Sequence, residues 1–228
     1  MKLLLTGATG FAGGEVLRQA LLDPAITRVT VLTRRRLAWR HPKLHPVLMD
    51  DFMDYSHVPL HGHDACIWCL GVSQASVEPD EYVRITLDYT LAAAQAMFAA
   101  NPAMRFCFVS GRSADPHERG RSLFSRIKGR TERLLRERWG QRVVVLRPGY
   151  ICPTARTGPR RDLARLFTPL GRLMTWMGPD LGVAGDTLAA VLLHTARHGA
   201  PQPVLGNREI RHYPLATAGT APGGVPHG

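Results

Sequence analysis

The chain has 228 residues, a length that suits one α/β domain better than two. Hydrophobic residues make up 45% of it, but no apolar run approaches the roughly 18 residues of a membrane-spanning helix, and we expect a cytoplasmic protein. The net charge of +11 predicts an anionic ligand or partner.

The first predicted strand, residues 2–6, leads through a glycine-rich turn into a predicted helix over residues 11–22. Gly7, Gly10 and Gly13 have G-x-x-G-x-x-G spacing. They suit a tight turn, a close approach to a pyrophosphate and close helix packing, and the start of the helix presents N–H groups and a positive dipole to the phosphates. The turn therefore predicts a dinucleotide site. Its predicted cofactor residues are Gly7, Thr9, Gly10, Phe11, Ala12 and Gly13.

The second predicted strand, residues 28–33, ends in Arg34, Arg35 and Arg36. Folds that prefer NAD place a carboxylate at this point, where it binds the ribose hydroxyls. Guanidinium groups instead suit a 2′-phosphate, which they bind through paired, charge-assisted hydrogen bonds. We therefore predict NADP(H), bound by Arg34 and Arg35, and interpret Arg36 as a solvated cation.

The third and fourth predicted strands cover residues 44–49 and 65–70. A carboxylate and an aromatic ring follow the third strand, where they can lie near the adenine. The fourth strand ends at a glycine, and ligands of open α/β sheets bind at the carboxyl ends of strands. The predicted cofactor residues of these two strand ends are Asp51, Phe52, Leu70 and Gly71.

Three histidines could bind a metal and two cysteines could form a redox pair, but we interpret neither group as a functional site. His57, His61 and His63 fall in a loop that suits a solvated surface better than a metal site. Cys66 and Cys69 form a C-x-x-C inside a predicted strand, where residues three apart face opposite sides. We therefore predict buried thiols rather than a redox pair, and no metal site.

The remaining elements continue the alternation of strand and helix. We predict helices over residues 79–100, 122–139 and 186–197, and strands over residues 104–109 and 141–146. Because parallel strands need crossover connections, this order predicts an α/β fold with a doubly wound parallel sheet, the Rossmann fold.

Residues 152–182 break the alternation with an apolar stripe flanked by five arginines, and Pro169 favours two short helices. We expect a helical lid over the substrate or a dimer face, with a surface for anionic lipid as the alternative. The sequence thus predicts one domain over residues 1–213 and a disordered tail over residues 214–228.

Seven short motifs, in order between residue 3 and about residue 151, resemble the atypical short-chain dehydrogenase/reductase family. The similarity is greatest to the branch of NADPH-binding proteins that includes the Tat-interacting protein. It implies a Rossmann fold and NADP(H), but no particular substrate. The motifs are Thr6–Gly13, Val31–Arg35, Cys69–Gly71, Arg84 with Asp88 and Tyr89, Val109–Ser110, Ile127–Gly129 with Glu132, and Arg147–Gly149.

The resemblance also implies a reaction. In the family a Ser polarises a carbonyl, a Tyr transfers the proton, and a Lys four residues later lowers the pKa of the Tyr and holds the nicotinamide ribose. Ser110 and Lys128 match this Ser and Lys, but Phe124 stands at the Tyr position and Gly111 at the second of two serines usual in the branch. Lys128 is one of only three lysines, which indicates a role for its amine unless the arginine bias has a genetic origin.

Loss of the general acid should lower the rate ~10²–10⁴-fold unless another group replaces it. Tyr150 is our first choice for a substitute proton donor, with packing under the lid as its alternative role. Other candidate hydroxyls belong to Ser122 and Ser125, and Ser113 could replace the missing serine. Pro148 and Ile151, beside Tyr150, are predicted cofactor residues.

Three functions fit this sequence. The first is an NADP(H)-dependent oxidoreductase, or an epimerase-like relative, acting on a small carbonyl or alcohol. The second is a catalytically impaired NADPH-binding sensor or regulator, which Phe124 favours. The third is an adaptor on acidic surfaces, since residues 112–142 hold ten Lys or Arg against four Asp or Glu. No motif for specific nucleic-acid binding supports the third, and a homodimer is compatible with each.

Overall fold

A sheet of seven parallel strands lies at the centre of the computed structural model, which describes residues 1–152 and 181–215. Its order is β3-β2-β1-β4-β5-β6-β9, while β7 and β8 form a separate parallel pair. The order changes direction between β1 and β4, which is the switch point at which such sheets bind ligands. The strands are β1 (Lys2–Thr6), β2 (Arg28–Thr33), β3 (Leu44–Leu48), β4 (Ala65–Trp68), β5 (Arg105–Val109), β6 (Val143–Arg147), β7 (Tyr150–Cys152), β8 (Gly182–Ala184) and β9 (Val204–Gly206).

Helices cover both faces of this sheet, so the predicted doubly wound α/β fold is confirmed. One face is covered by α1 and α5, and the other by α3 and α4. A π-helical turn, Arg84–Asp88, joins α2 to α3 within the single helix that the sequence predicted. The helices are α1 (Phe11–Leu22), α2 (Pro79–Val83), α3 (Tyr89–Ala100), α4 (Leu123–Trp139), α5 (Gly185–His198) and α6 (Asn207–Arg211).

The apolar run of β1 shows why the strand is buried on both faces. Leu3 and Leu5 pack with α1 and α5, whereas Leu4 packs on the other face with α3 and α4. All three side chains are fully buried. A continuous apolar run is typical of a parallel strand that has helices on both sides, and it places the end of β1 in the middle of the sheet.

Several predicted boundaries were wrong by a few residues. The fourth strand ends at Trp68 rather than at residue 70, and β6 begins at Val143 because a 3₁₀ turn occupies Gly140–Arg142. The short elements β7, β8, β9 and α6 were not predicted, since runs of three to five residues have too little periodicity to detect. Most of the predicted lid and of the predicted tail lies outside the described residues.

No helix within residues 1–152 and 181–215 is both long and apolar enough to cross a bilayer. The same ranges contain no group of three or more His, Cys, Asp or Glu that could hold a metal ion. Cys66, Cys69 and Cys107 form no disulfide within these ranges, and burial raises the pKa of Cys66 well above its usual value and that of Cys69 to about 12. The prediction of buried thiols inside a strand is confirmed for Cys66, whereas Cys69 follows the end of β4 and is half-buried; that the pair has no redox role stays a prediction.

One of the three loop histidines is a buried part of the fold rather than a surface group. His63 is 3% exposed, and its Nδ1 lies 3.0 Å from the Leu60 carbonyl oxygen. Because that oxygen can only accept, Nδ1 carries the proton and Nε2 accepts from the Thr30 hydroxyl at 2.8 Å. Burial lowers the pKa of His63, so the folded protein holds the ring neutral.

We expect the free energy of unfolding to fall as the pH drops below about 6.5, because the unfolded chain then binds a proton that folded His63 excludes. Urea unfolding at pH 7.5 and pH 5.5 measures this. His63→Gln should cost about 1–3 kcal/mol at pH 7.5 through a lost buried bond, and its stability should depend less on pH. His61→Gln, at an exposed position, should keep the wild-type dependence. If the free energy of unfolding falls equally between pH 7.5 and pH 5.5 in the wild type and in His63→Gln, the expectation is contradicted.

Candidate functional site

The glycine turn after β1 contains two positions that exclude any side chain. Gly7 has φ +68°, and a Cβ there would overlap the Cys69 carbonyl, with the carbonyl carbon only 2.7 Å away. A Cβ at Gly13 would overlap the Gly7 carbonyl, whose carbon lies at 2.6 Å. The first glycine thus lets β1 pass close to the end of β4, and the other lets α1 pack directly on the turn.

The start of α1 is open to a ligand. Gly10 is the N-cap residue, and no side chain from residues 1–152 or 181–215 caps the helix. Thr9, Gly10 and Phe11 are exposed, while the Gly10 N–H donates to the Gly7 carbonyl at 2.9 Å and closes the turn. An uncapped helix start beside exposed glycine backbone fits the diphosphate of a dinucleotide.

Thr6 joins the turn to the neighbouring strand end. Its Oγ1 accepts hydrogen bonds from the N–H groups of Cys69 at 3.1 Å and Leu70 at 3.0 Å. Leu70 is half-buried and Gly71 is exposed, and no atom of the part of the chain that the structure describes lies within 4 Å of a Cβ added at Gly71. Both predicted cofactor residues of β4 therefore lie beside the glycine turn, at the switch point.

Arg34 and Arg35 are exposed in the loop that follows β2, next to β1 in the sheet. The loop is held by Thr33, whose hydroxyl donates to the Arg35 carbonyl oxygen at 2.9 Å. Among the described residues, neither guanidinium forms an ion pair with a carboxylate. Both are thus available to a phosphate.

The two candidates after β3 differ in placement. The Phe52 ring is 1% exposed and packs against Trp68 and Tyr89, with ring centroids 6.1 and 5.8 Å away. It belongs to the core, so stacking of this ring on adenine does not fit the structure. Asp51 is half-exposed, and its carboxylate lies 3.6 Å from the Arg84 guanidinium. A contact with adenine stays a prediction for Asp51 and for the Phe52 backbone.

Lys128 projects from α4 to the carboxyl end of β5. Its Nζ donates to the Val109 carbonyl oxygen at 2.9 Å and lies 4.6 Å from the centre of the Phe108 ring. The side chain is 7% exposed. Burial lowers the pKa of Lys128 to about 8, although the Glu132 carboxylate one turn away opposes this shift.

Ser110 follows Val109 and is also 7% exposed. Its N–H donates to the Leu146 carbonyl oxygen at 2.8 Å, which anchors the backbone between β5 and β6. Its hydroxyl has no hydrogen-bond partner within the described ranges. A buried hydroxyl of this kind suits a substrate oxygen. The structure thus places Ser110 and Lys128 at the same end of β5, and their catalytic roles stay predictions.

Phe124 and Gly111 are in direct contact. A Cβ at position 111 would overlap Cζ of the Phe124 ring and lie 2.9 Å from its Cε1. The Phe124 N–H donates to Oε1 of Gln74 at 2.8 Å, which holds the start of α4. The ring therefore fills the space that a serine side chain at position 111 would need. The two departures from the family pattern are one structural feature.

The alternative hydroxyls are placed less favourably. The Ser122 hydroxyl caps α4 by accepting from the Ser125 N–H at 3.1 Å, and the Ser125 hydroxyl donates to the Ser113 carbonyl oxygen at 2.5 Å. The first two are thus used to shape the fold, and Ser113 itself is exposed. Tyr150 lies half-buried in β7, and burial raises its pKa, which disfavours a phenolate base.

The end of β6 is fastened to this region. The Pro148 carbonyl oxygen accepts from the Arg112 N–H at 3.0 Å, and Ile151 packs against the core on the α1 side. Arg147 binds the buried Glu132 carboxylate, with Nε at 3.0 Å from both oxygens. The sequence analysis assigned no role to Arg147 or Glu132. Glu132 follows Lys128 by four residues, one helical turn, and this spacing was a usable signal that its carboxylate lies near the amine.

Comparison with known proteins finds relatives of this chain in sequence and in fold. Protein HTATIP2 of Rattus norvegicus is 29% identical over 222 residues, which cover 92% of this chain and 88% of the rat protein. An oxidoreductase of the short-chain dehydrogenase/reductase family from Burkholderia thailandensis has a TM-score of 0.64 and 20% identity, over 90% of this chain and 89% of its own. The Bordetella bronchiseptica enzyme WbmF, in complex with NAD+, has a TM-score of 0.67 and 14% identity, over 92% and 76%.

The predicted resemblance is thereby confirmed, including the branch represented by the Tat-interacting protein. The two solved structures support the fold, while their low identities say nothing of substrate. A profile described as the NAD dependent epimerase/dehydratase family matches residues 3–127, which include the glycine turn, β4 and Ser110. The chain belongs to the NAD dependent epimerase/dehydratase family.

Proposed function

We propose that this protein is an NADP(H)-dependent oxidoreductase acting on a small carbonyl compound or alcohol. The main observation in favour is the pair of exposed guanidiniums, Arg34 and Arg35, at the end of the strand beside the glycine turn. A carboxylate at this place would repel a 2′-phosphate, whereas two guanidiniums attract it. The neighbouring buried Ser110 and Lys128 supply groups for a reacting oxygen and a ribose.

Different residues of the site would bind different parts of the cofactor. Backbone N–H groups at the start of α1 would hold the diphosphate, and Arg34 and Arg35 the 2′-phosphate. Lys128 would bind the nicotinamide ribose, and Ser110 would donate a hydrogen bond to the substrate oxygen. When bound, the nicotinamide supplies or accepts the hydride. A homodimer and a cytoplasmic location remain predictions.

A direct test is the oxidation of NADPH with a panel of aldehydes and quinones, together with calorimetric titration of NADPH. We expect binding and slow turnover with at least one carbonyl compound. Product analysis should show one alcohol formed for each NADPH consumed. Absence of NADPH binding would refute the proposal.

A second candidate function is an NADPH-binding sensor without catalysis. The observation in its favour is Phe124, whose ring has no hydroxyl and is pressed against Gly111. Under this alternative the protein binds NADPH but oxidises it no faster with any carbonyl compound than without one. The same panel therefore separates the two functions.

The variant Phe124→Tyr tests whether position 124 adjoins the reacting centre. We expect its reductase rate to rise at least about tenfold, because a positioned general acid contributes ~10²–10⁴-fold. Stopped-flow measurement of NADPH oxidation gives the rate. Phe124→Leu, which removes the ring and adds no hydroxyl, is the matched control. If the Tyr and Leu variants have the same rate, position 124 lies outside the reacting centre.

A further inference from the structure

The structure buries the Lys128 amine at the carboxyl end of β5, in a chain that has Phe124 in place of the expected proton-donating Tyr. Resting on the proposed hydride transfer, we infer that the Lys128 ammonium is itself the proton donor to the substrate oxygen, and its neutral amine the acceptor in the reverse reaction. This adds a second role to the ribose contact that the family resemblance implies.

The first support is the geometry of Lys128. An ammonium has three N–H donors, and the described contacts use one of them, the bond from Nζ to the Val109 carbonyl oxygen at 2.9 Å. The Phe108 ring lies 4.6 Å from Nζ and favours a cation there. The next residue, Ser110, has a buried hydroxyl with no described partner. A carbonyl oxygen bound by Ser110 would thus be close to the amine.

The second support is that the other candidate proton-donating hydroxyls are either missing or already hydrogen-bonded within the fold. The Phe124 ring fills the space beside Gly111, so neither position offers a hydroxyl. The Ser122 and Ser125 hydroxyls are engaged in bonds that shape the start of α4. Lys128, by contrast, is buried and is bonded to the residue that precedes Ser110, through the Val109 carbonyl oxygen.

The third support is the charge environment of the amine. Burial moves the pKa of Lys128 down to about 8, and the charged or titratable groups that face it are Glu132 on α4 and Cys69 after β4. The Glu132 carboxylate is held by Arg147 from β6, so its charge is partly balanced. A proton donor is most effective when its pKa is near the working pH. Below about pH 8 the group is therefore mostly charged and can donate.

The proposed step balances. The carbonyl carbon accepts a hydride, with its two electrons, from C4 of the reduced nicotinamide, and the π electrons of the C=O bond move to the oxygen. The oxygen forms an O–H bond with a proton from Nζ as an N–H bond breaks. The substrate is reduced to an alcohol, the nicotinamide is oxidised, and the neutral amine regains a proton from solvent.

The scarcity of lysine permits a direct measurement that needs no turnover. The chain has three lysines, Lys2, Lys43 and Lys128, so the protein grown with ¹³C-labelled lysine gives three ε-CH₂ signals in NMR spectra. We expect the signal that is absent from Lys128→Arg to titrate near pH 8 in the wild type. Titration of that signal above about pH 10, in the ordinary range of a lysine amine, would overturn the inference.

Chemical rescue then tests proton transfer itself. Lys128→Ala should lower single-turnover NADPH oxidation ~10²–10⁴-fold at saturating NADPH. Added primary amines of different basicity should restore part of the rate, with a rescued rate that depends on the amine pKa. Lys128→Met, closer in volume, replaces the Ala variant if that does not fold, and Lys43→Ala is the control that should keep the wild-type rate. A purely structural role predicts no dependence on amine pKa.

Two further outcomes separate this inference from the proposed function. In the wild type, the rate of reduction should fall above about pH 8, as the ammonium loses its proton. In the Phe124→Tyr background, Lys128→Ala should lower the rate of reduction by a smaller factor than it does in the wild type, because a second proton donor is present. If the wild type reduces carbonyl compounds but rescue and the pH profile are flat, only the inference fails. If the wild type binds NADPH and reduces nothing, the proposed function fails with it.

Discussion

The double variant Arg34→Ser with Arg35→Ser is expected to bind NADPH about a hundredfold more weakly than the wild type. A hydrogen bond to a charged group contributes about 1.5–3 kcal/mol, and tenfold in affinity corresponds to about 1.4 kcal/mol. Because both side chains are exposed, we take the lower end for each. Two such contacts with a 2′-phosphate then amount to about two powers of ten.

The affinity for NADH should change less than about threefold in this variant, since NADH has no 2′-phosphate. In the wild type, NADPH should bind at least about tenfold more tightly than NADH, and this preference should shrink as salt screens the exposed cations. Calorimetric titration of both nucleotides measures these differences. Arg36→Ser, which changes an exposed arginine of the same loop, is the matched control. Equal affinities of the wild type for NADPH and NADH would refute the assignment of Arg34 and Arg35.

The variant Gly13→Ala is expected to lose both stability and cofactor affinity. The added Cβ would overlap the Gly7 carbonyl and lie 3.0 Å from the Ala8 nitrogen. These are backbone atoms, so the clash can be relieved only by moving α1 away from the turn. Overpacking of this kind costs about 1–3 kcal/mol, and the displaced helix start should bind NADPH at least about tenfold more weakly.

Gly14→Ala is a matched control for this variant, because it makes the same change one residue later in α1. Its Cβ would meet the Ala8 carbonyl oxygen at 3.2 Å, a milder contact, and alanine gains helix propensity. Urea unfolding should therefore place Gly14→Ala close to the wild type. Calorimetry on the folded fraction separates the loss of affinity from the loss of stability. Wild-type NADPH affinity in Gly13→Ala would show that the turn is not the diphosphate site.

The contact between Phe124 and Gly111 changes how the departures from the family pattern are understood. Taken separately, Phe for Tyr and Gly for Ser are two losses of a hydroxyl. In the folded chain the ring occupies the space beside Gly111, so a serine at position 111 would require the ring to move. We therefore expect the effect of Phe124→Tyr on the reductase rate to depend on which residue stands at position 111. The rate measurements proposed for Lys128 test this expectation.

The sequence by itself determined the parallel α/β fold, the glycine turn and the arginines that follow β2. These features depend on residues that are close in sequence: an apolar run buried on both faces, glycines at fixed spacing and a strand that ends in cations. Gly7 could be assigned to the turn because the motif specifies it, and its φ of +68° agrees. The predicted cofactor residues along the switch point follow from the alternation of strands and helices.

Only the tertiary structure decided which side chains are buried and which pairs touch. It placed the Phe52 ring in the core, joined Arg147 to Glu132, and brought Phe124 onto Gly111. The protonation of Lys128 likewise depends on groups from other elements and on its burial. These contacts join residues that are distant along the chain, and their energies depend on packing and desolvation, which no local pattern of residues encodes.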